Sequence, residues 1–78
     1  MSNRAHRFHA PMIIYFDAIR RAGSVREAAR RLNVASSAVN RQLLKLEEEL
    51  GTPLFDRLPG GLKLTHAGAT FARHAIEV

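Results

Sequence analysis

Leucine and valine recur at helical spacing between residues 35 and 51, and this stripe limits the possible folds more than any other part of the chain. Its members lie four, three and four residues apart, namely Val39, Leu43, Leu46 and Leu50. Residues at such spacing share one face of an α-helix, so the pattern predicts a helix over about residues 36–50 that buries this face. The opposite face carries serine, arginine and lysine near its start and glutamate near its end.

A shorter helix is predicted directly before this one, over about residues 25–32. Ser24 and Glu27 have the spacing of a capping box, in which each side chain accepts the backbone N–H of the other residue. Asn33 can take the left-handed conformation that ends a helix, and Val34 is expected to pack beneath the turn. A tight connection between a short, alanine-rich helix and a longer one is typical of a helix-turn-helix.

The flanking segments complete a mainly α fold with one small β-hairpin. A first amphipathic helix is predicted from Pro11 to just before Gly23. Further along, residues 59–61 read Pro-Gly-Gly, which is strong turn chemistry between short apolar strands at 54–55 and 62–64. Such a hairpin would form the wing of a winged helix-turn-helix.

A last helix is predicted after Thr65, and its apolar face is still running when the sequence ends. We therefore expect the start of a longer linker helix through which two copies pair. The candidate dimerisation residues are Phe71, Ala72, Ala75 and Ile76. The predicted organisation is a flexible arm (1–9), a winged helix-turn-helix (10–65) and the start of a truncated linker or dimerisation helix (66–78).

Charge indicates a polyanionic partner. The formal net charge is +5 and the pI is near 11.1. Residues 1–35 hold seven basic and two acidic side chains, whereas residues 36–78 hold five of each. Such a field favours nucleic acid or an anionic membrane surface. Arginines on the first helix of a helix-turn-helix would lie over the DNA phosphates, here Arg26, Arg30 and Arg31.

Several classes of protein and site are disfavoured. Without cysteine the chain has no disulfide or thiolate metal site. No apolar run approaches the roughly 20 residues of a membrane helix, and the N-terminus lacks a signal peptide, so we expect a cytoplasmic, nucleoid-associated protein. No phosphate loop, metal-ligand cluster or activated nucleophile is present, and glutamates 47–49 are explained by solvation. We predict neither enzyme activity nor a cofactor.

The residues together resemble the N-terminal DNA-binding domain of LysR-type transcriptional regulators, over about residues 12–76. The shared motifs are Phe16, Gly23-Ser24, Ala28-Ala29 with Leu32, Val34, Ala38-Val39, Arg41-Gln42, Leu46-Glu47, Leu50-Gly51, Leu54-Phe55 with Arg57, and Leu64-Thr65 with Ala67-Gly68. The resemblance implies a winged helix-turn-helix whose third helix enters the major groove. It also implies a homodimer or higher oligomer on an inverted-repeat promoter site. An effector ligand would bind a C-terminal domain that these 78 residues do not contain.

Two departures from the family shift the expected DNA contacts. Ala35 stands where the family usually has the serine cap, so Ser36 is expected to take over the cap. The candidate base-reading residues are Ser36, Ser37, Asn40 and Arg41, since Asn can pair with adenine and Arg with guanine. The wing tip lacks the family's usual basic residues. The candidate phosphate contacts are Ser24, Arg26, Arg30, Arg31, Lys45, Arg57 and Lys63.

Other interpretations remain open at this point. Arg41 could form a surface ion pair with Glu48 instead of entering a groove. The third helix could contact a protein partner, an interpretation that Leu44 alone supports, because interaction helices present large apolar or aromatic anchors. A related winged-helix regulator of the molybdate-responsive type is a further alternative.

Overall fold

The computed structural model describes residues 10–76, which form four helices and one two-stranded antiparallel sheet. The elements are α1 (Ala10–Ala22), α2 (Val25–Leu32), α3 (Ser36–Leu50), β1 (Phe55–Leu58), β2 (Gly61–Leu64) and α4 (His66–Ala75). The predicted arm, residues 1–9, lies outside the described residues, as do residues 77–78. A mainly α fold with one hairpin is confirmed.

The helices enclose one apolar core, and the stripe on α3 faces it. Val39 and Leu46 are fully buried and Leu43 is nearly so, which confirms the predicted inner face. Leu50 is half-buried at the edge of the core. From the first two helices the core receives Met12, Phe16, Ile19, Ala28 and Ala29. The two alanines of α2 are small enough to let α1 and α3 approach closely.

The connection between α2 and α3 is a tight turn, as predicted for a helix-turn-helix. The Ser24 hydroxyl accepts the Glu27 N–H at 3.0 Å, so the first half of the capping box is confirmed. Asn33 is left-handed, with φ 59° and ψ 47°. The Val34 N–H donates to the Ala29 carbonyl at 3.0 Å, but the Val34 side chain is 36% exposed. The prediction that Val34 packs beneath the turn is wrong, because its backbone rather than its side chain holds the turn.

The start of α3 differs from the prediction that Ser36 caps it. Ala35 occupies the cap position, with φ −70° and ψ 142°, and it provides no side-chain hydrogen bond. Its carbonyl accepts the N–H groups of Ala38 at 3.0 Å and Val39 at 3.3 Å, so Ser36 is already the first helical residue. The Ser36 side chain is exposed and takes no part in capping.

The wing is attached to the turn between α1 and α2. β1 and β2 pair in antiparallel register, with Leu58 opposite Gly61 at the tip. The Leu62 N–H donates to the Gly23 carbonyl at 2.9 Å. A Cβ at Gly61, where φ is 137°, would lie 2.6 Å from that same carbonyl oxygen, so the close approach requires glycine. The hairpin is thus held against the helices at its second strand.

Helix α4 packs back onto the domain. The Thr65 hydroxyl accepts the Gly68 N–H at 2.9 Å and donates to the Pro53 carbonyl at 2.9 Å, which joins the cap of α4 to the segment before β1. Phe71 meets Phe16 edge to face, with ring centroids 5.1 Å apart. This arrangement fixes the direction in which α4 leaves the winged helix.

Glu47 connects the end of α3 to the segment that leads into β1. Its carboxylate Oε2 accepts the Leu54 N–H at 2.7 Å, and its carbonyl accepts the Gly51 N–H at 2.8 Å. Leu54 is fully buried, so its N–H has lost contact with water and depends on this acceptor. From the sequence, solvation was expected to explain glutamates 47–49. It does not explain Glu47, whose carboxylate accepts the buried Leu54 N–H.

Glu47→Ala is expected to lower the free energy of unfolding by about 1–3 kcal/mol, because a buried N–H would lose its acceptor. Urea denaturation followed by circular dichroism would measure the loss. Glu48→Ala is the matched control, since Glu48 is exposed on the same helix turn. Equal effects of the two substitutions would show that the bond to Leu54 contributes nothing.

Candidate nucleic-acid interface

The first two turns of α3 present the four predicted base-reading side chains together. Ser36, Ser37 and Arg41 are exposed and Asn40 is half-buried beside them. Positions 36 and 40, like 37 and 41, lie four residues apart, so the four side chains cover one continuous strip of the helix. Lys45 continues this strip one turn further along and is also exposed.

No acidic side chain of the described residues forms an ion pair with the cations of this strip. Within residues 10–76, Arg41 forms no ion pair, which removes the alternative in which Glu48 binds it. The first turn of α3 contains no acidic residue, and its N-terminal end has no side-chain cap. Free backbone N–H groups at a helix start attract anions. The strip therefore offers hydrogen-bond donors and positive charge to the same partner.

The arginines of α2 are not equally available. The Glu27 carboxylate binds Arg30 through Oε1 at 3.0 Å and Arg31 through Oε2 at 3.0 Å. The hydrogen bonds from Arg30 and then Arg31 lower the Glu27 pKa to about 2, and the Glu27 bond raises the Arg30 pKa. Arg26 is exposed on the same helix and forms no ion pair within the described residues.

A similar pairing occurs on α1, where Asp17 binds Arg20 at 2.7 Å and Arg21 at 2.9 Å. Four arginines of the basic N-terminal segment thus share two acids. The net charge of the segment is unchanged by this pairing, but fewer of its cations are free for an outside anion. Within residues 10–76, the basic side chains outside any ion pair are Arg26, Arg41, Lys45, Arg57, Lys63 and Arg73.

Two of these free cations, Arg26 and Arg57, line one cleft between the start of α2 and the wing. The cleft has a volume of about 380 Å³, and its wall includes Ser24 and Leu62. Since the Ser24 oxygen already accepts the cap hydrogen bond, its hydroxyl proton remains for an outside acceptor. The fold therefore brings three predicted phosphate contacts, Ser24, Arg26 and Arg57, to the same place.

The wing itself carries one further exposed cation, Lys63, in register with Asp56 across the hairpin. The tip is apolar, and Leu58 there is 49% exposed. The wing thus has its positive charge along the strands rather than at the tip.

The predicted dimerisation residues are distributed unevenly over α4. Ala72 is 2% exposed and belongs to the domain's own core, and Phe71 packs on Phe16. These contacts account for both side chains without a second chain. Ala75 and Ile76 are half-buried at the end of the helix, so they have more surface left for a partner.

Residues 10–76 contain no group of three side chains suited to hold a metal ion. None of the helices described has the length and apolar character that crossing a membrane requires.

A comparison with known protein families agrees with the helix-turn-helix and the exposed strip on α3. The family described as bacterial regulatory helix-turn-helix protein, lysR family, matches residues 12–69. The chain belongs to the LysR family. This membership confirms the resemblance found in the motifs and identifies a transcriptional-regulator domain rather than an enzyme.

Regulators of the LysR family match this chain over part of their own length. The chain is 43% identical over 61 residues to the regulator ClcR of Pseudomonas putida. The matched region covers 78% of this chain and 21% of ClcR. It is 41% identical over 64 residues to BudR of Klebsiella aerogenes, covering 82% of this chain and 45% of BudR. The chain thus spans less than half the length of these relatives.

A solved structure with a similar fold is the complex of the CbnR DNA-binding domain with DNA. It superposes with a TM-score of 0.78 at 35% identity, covering 99% of this chain and 80% of that one. The winged helix-turn-helix architecture predicted from the sequence is therefore confirmed as that of LysR-family domains.

The sequence did not reveal the roles of two acidic residues in this LysR domain. Glu27 binds arginines at the interface, and Glu47 binds the backbone that follows α3. Glu27 lies three and four residues before Arg30 and Arg31, a spacing that predicts ion pairs on a helix. The bond from Leu54 to Glu47 crosses a helix end, and no local spacing signals it.

Proposed function

We propose that this chain binds double-stranded DNA in a sequence-specific manner for transcription regulation, with α3 in the major groove. The observation that carries the proposal is the uncapped, ion-pair-free strip on α3, which begins with Ser36 and Ser37 and continues to Arg41 and Lys45. Side chains at the start of a recognition helix reach base edges in helix-turn-helix complexes. The CbnR DNA-binding domain, which has a similar fold, was solved in complex with DNA, and this supports DNA as the partner.

Phosphate contacts would supply most of the affinity. Arg26 and Arg57 share a cleft beside the start of α2, and a DNA strand passing between α2 and the wing could meet both. Lys45 on α3 and Lys63 on β2 are both exposed. These contacts orient the domain, and the α3 side chains Asn40 and Arg41 supply the discrimination between sequences.

Assembly and regulation are proposed by analogy with the longer relatives. We propose that two copies bind an inverted repeat and pair through the region 66–78, of which Ala75 and Ile76 keep partly exposed side chains. Recognition helices in such dimers lie roughly 34 Å apart. An effector would bind a further domain, and the protein would act in the cytoplasm at the nucleoid.

Fluorescence anisotropy with a random duplex and with a pool of inverted repeats, each at several salt concentrations, tests the proposal. We expect steeply salt-dependent binding to both and a preference for a subset of the repeats. A folded domain that binds neither duplex, even after covalent dimerisation, would contradict the proposal. That outcome would favour a protein partner, for which Leu44, 55% exposed on α3, provides an anchor.

Arg41→Ala is expected to cost about 1–3 kcal/mol on a preferred repeat and distinctly less on random DNA, because a base contact is lost. Anisotropy titrations on both duplexes would measure the difference. Arg73→Ala is a matched control for the lost charge, since Arg73 is exposed on α4 and outside any described ion pair. Equal losses on both duplexes would remove Arg41 from the base-reading residues.

A further inference from the structure

Glu27 is the one acidic residue on α2, and it lies among three arginines. Its carboxylate accepts from Arg30 Nε and Nη2 and from Arg31 Nε, so it occupies two cations at once. The Arg30 side chain is 72% exposed and that of Arg31 is 52% exposed. Two arginines on the helix assigned to the DNA backbone are therefore accessible to phosphate but already bound to a carboxylate.

We propose that Glu27 limits the sequence-independent part of DNA affinity by competing with phosphate for Arg30 and Arg31. The proposal rests on the proposed function. It assigns a role to an acidic residue that itself recognises no base.

The competition follows from the charges and donors involved. Arg30 uses two N–H groups on Glu27, and a phosphate that takes the same fork must displace or share the carboxylate. Glu27 also repels any phosphate that approaches. Exposed ion pairs are weak, so phosphate can displace the carboxylate. The gain in binding free energy is nevertheless smaller than at an arginine that forms no ion pair. Arg26, which has no such acid, shows the contrast on the same helix.

We expect this competition to persist through mild changes in pH. The hydrogen bonds from Arg30 and Arg31 hold the Glu27 pKa at about 2, so the carboxylate stays ionised well below neutrality. Mild acidification therefore does not release the two arginines.

The experiment compares Glu27→Gln with Glu49→Gln in the same anisotropy titrations. Glutamine keeps the size of the side chain. The cap hydrogen bond is retained, because the backbone N–H of residue 27 donates it to the Ser24 hydroxyl. We expect Glu27→Gln to bind random duplex roughly tenfold more tightly, with a salt slope steeper by about 0.9 for each arginine released. The preferred repeat should gain by the same factor. Glu49 is exposed and forms no described ion pair, so Glu49→Gln reports the effect of net charge alone.

A mutant cycle then tests whether Glu27 limits DNA affinity through Arg30 and Arg31. In an Arg30→Gln, Arg31→Gln background, with folding checked by circular dichroism, Glu27→Gln should raise affinity no more than Glu49→Gln does. If Glu27→Gln raised the affinity for DNA as strongly in that background as in the native one, the proposal would be overturned. Equal increases in affinity from Glu27→Gln and Glu49→Gln in the native background would also overturn it. The unsubstituted domain tests the proposed function separately, because its failure to bind any duplex would end that proposal irrespective of Glu27.

Discussion

Leu46→Ala is expected to lower the free energy of unfolding by about 2–5 kcal/mol, which is much of what a domain of this size has. Leu46 is fully buried at the centre of the α3 stripe. Removing its branched end leaves a cavity where the helices meet, and the backbone of a short helical bundle can close it only in part. Urea denaturation followed by far-ultraviolet circular dichroism would measure the change.

Leu44→Ala provides the matched control for that loss. Leu44 lies on the same helix two residues away but is 55% exposed, so the same atoms are removed from a solvated position. We expect a change within about 0.5 kcal/mol. Comparable losses for the two leucines would contradict the assignment of the inner and outer faces of α3, and with it the DNA-facing strip.

Gly68→Ala is expected to destabilise the domain by about 2 kcal/mol or more, although alanine favours helices by up to about 1 kcal/mol over glycine. A Cβ at Gly68 would lie 2.1 Å from the Leu54 carbonyl oxygen and 2.9 Å from Leu64 Cδ2. The nearer atom belongs to the backbone, which cannot turn aside as a flexible side chain can. Helix α4 must therefore shift away from the segment before β1.

The thermal unfolding midpoint of Gly68→Ala, compared with that of Gly60→Ala, would show this effect. Gly60 lies in the wing turn, and no atom lies within 4 Å of the Cβ that alanine would add there. We expect a clear fall in the midpoint for Gly68→Ala and little change for Gly60→Ala. An increased midpoint for Gly68→Ala would mean that α4 is not held against Leu54.

The helices and the turns between them were predictable because their signals are local. Apolar spacing gave the buried face of α3, and Ser24 and Asn33 marked the ends of α2. The strip of candidate base-reading residues followed from the same periodicity, since the face opposite a buried stripe must be exposed. Ser36 was misassigned as a cap because cap preference favours serine, whereas the backbone turn here places Ala35 at that position.

Other features depend on contacts between distant segments and could not be predicted. The meeting of Arg26 and Arg57 at one cleft requires the wing to lie against the start of α2. The burial of Ala72 requires α4 to fold back onto the core, so its apolar face alone suggested a second chain instead. The residue count gave the net charge of the basic segment but not which of its arginines an acid already binds.

The hydrogen bond from Leu62 to the Gly23 carbonyl bears on the thermodynamics of complex formation. An isolated two-stranded hairpin is marginally stable in water, so a free wing would sample many orientations. Here the hairpin is anchored to the helical body at β2 and by the buried Phe55 in β1. A duplex therefore meets a preorganised surface, and association loses little conformational entropy in the wing.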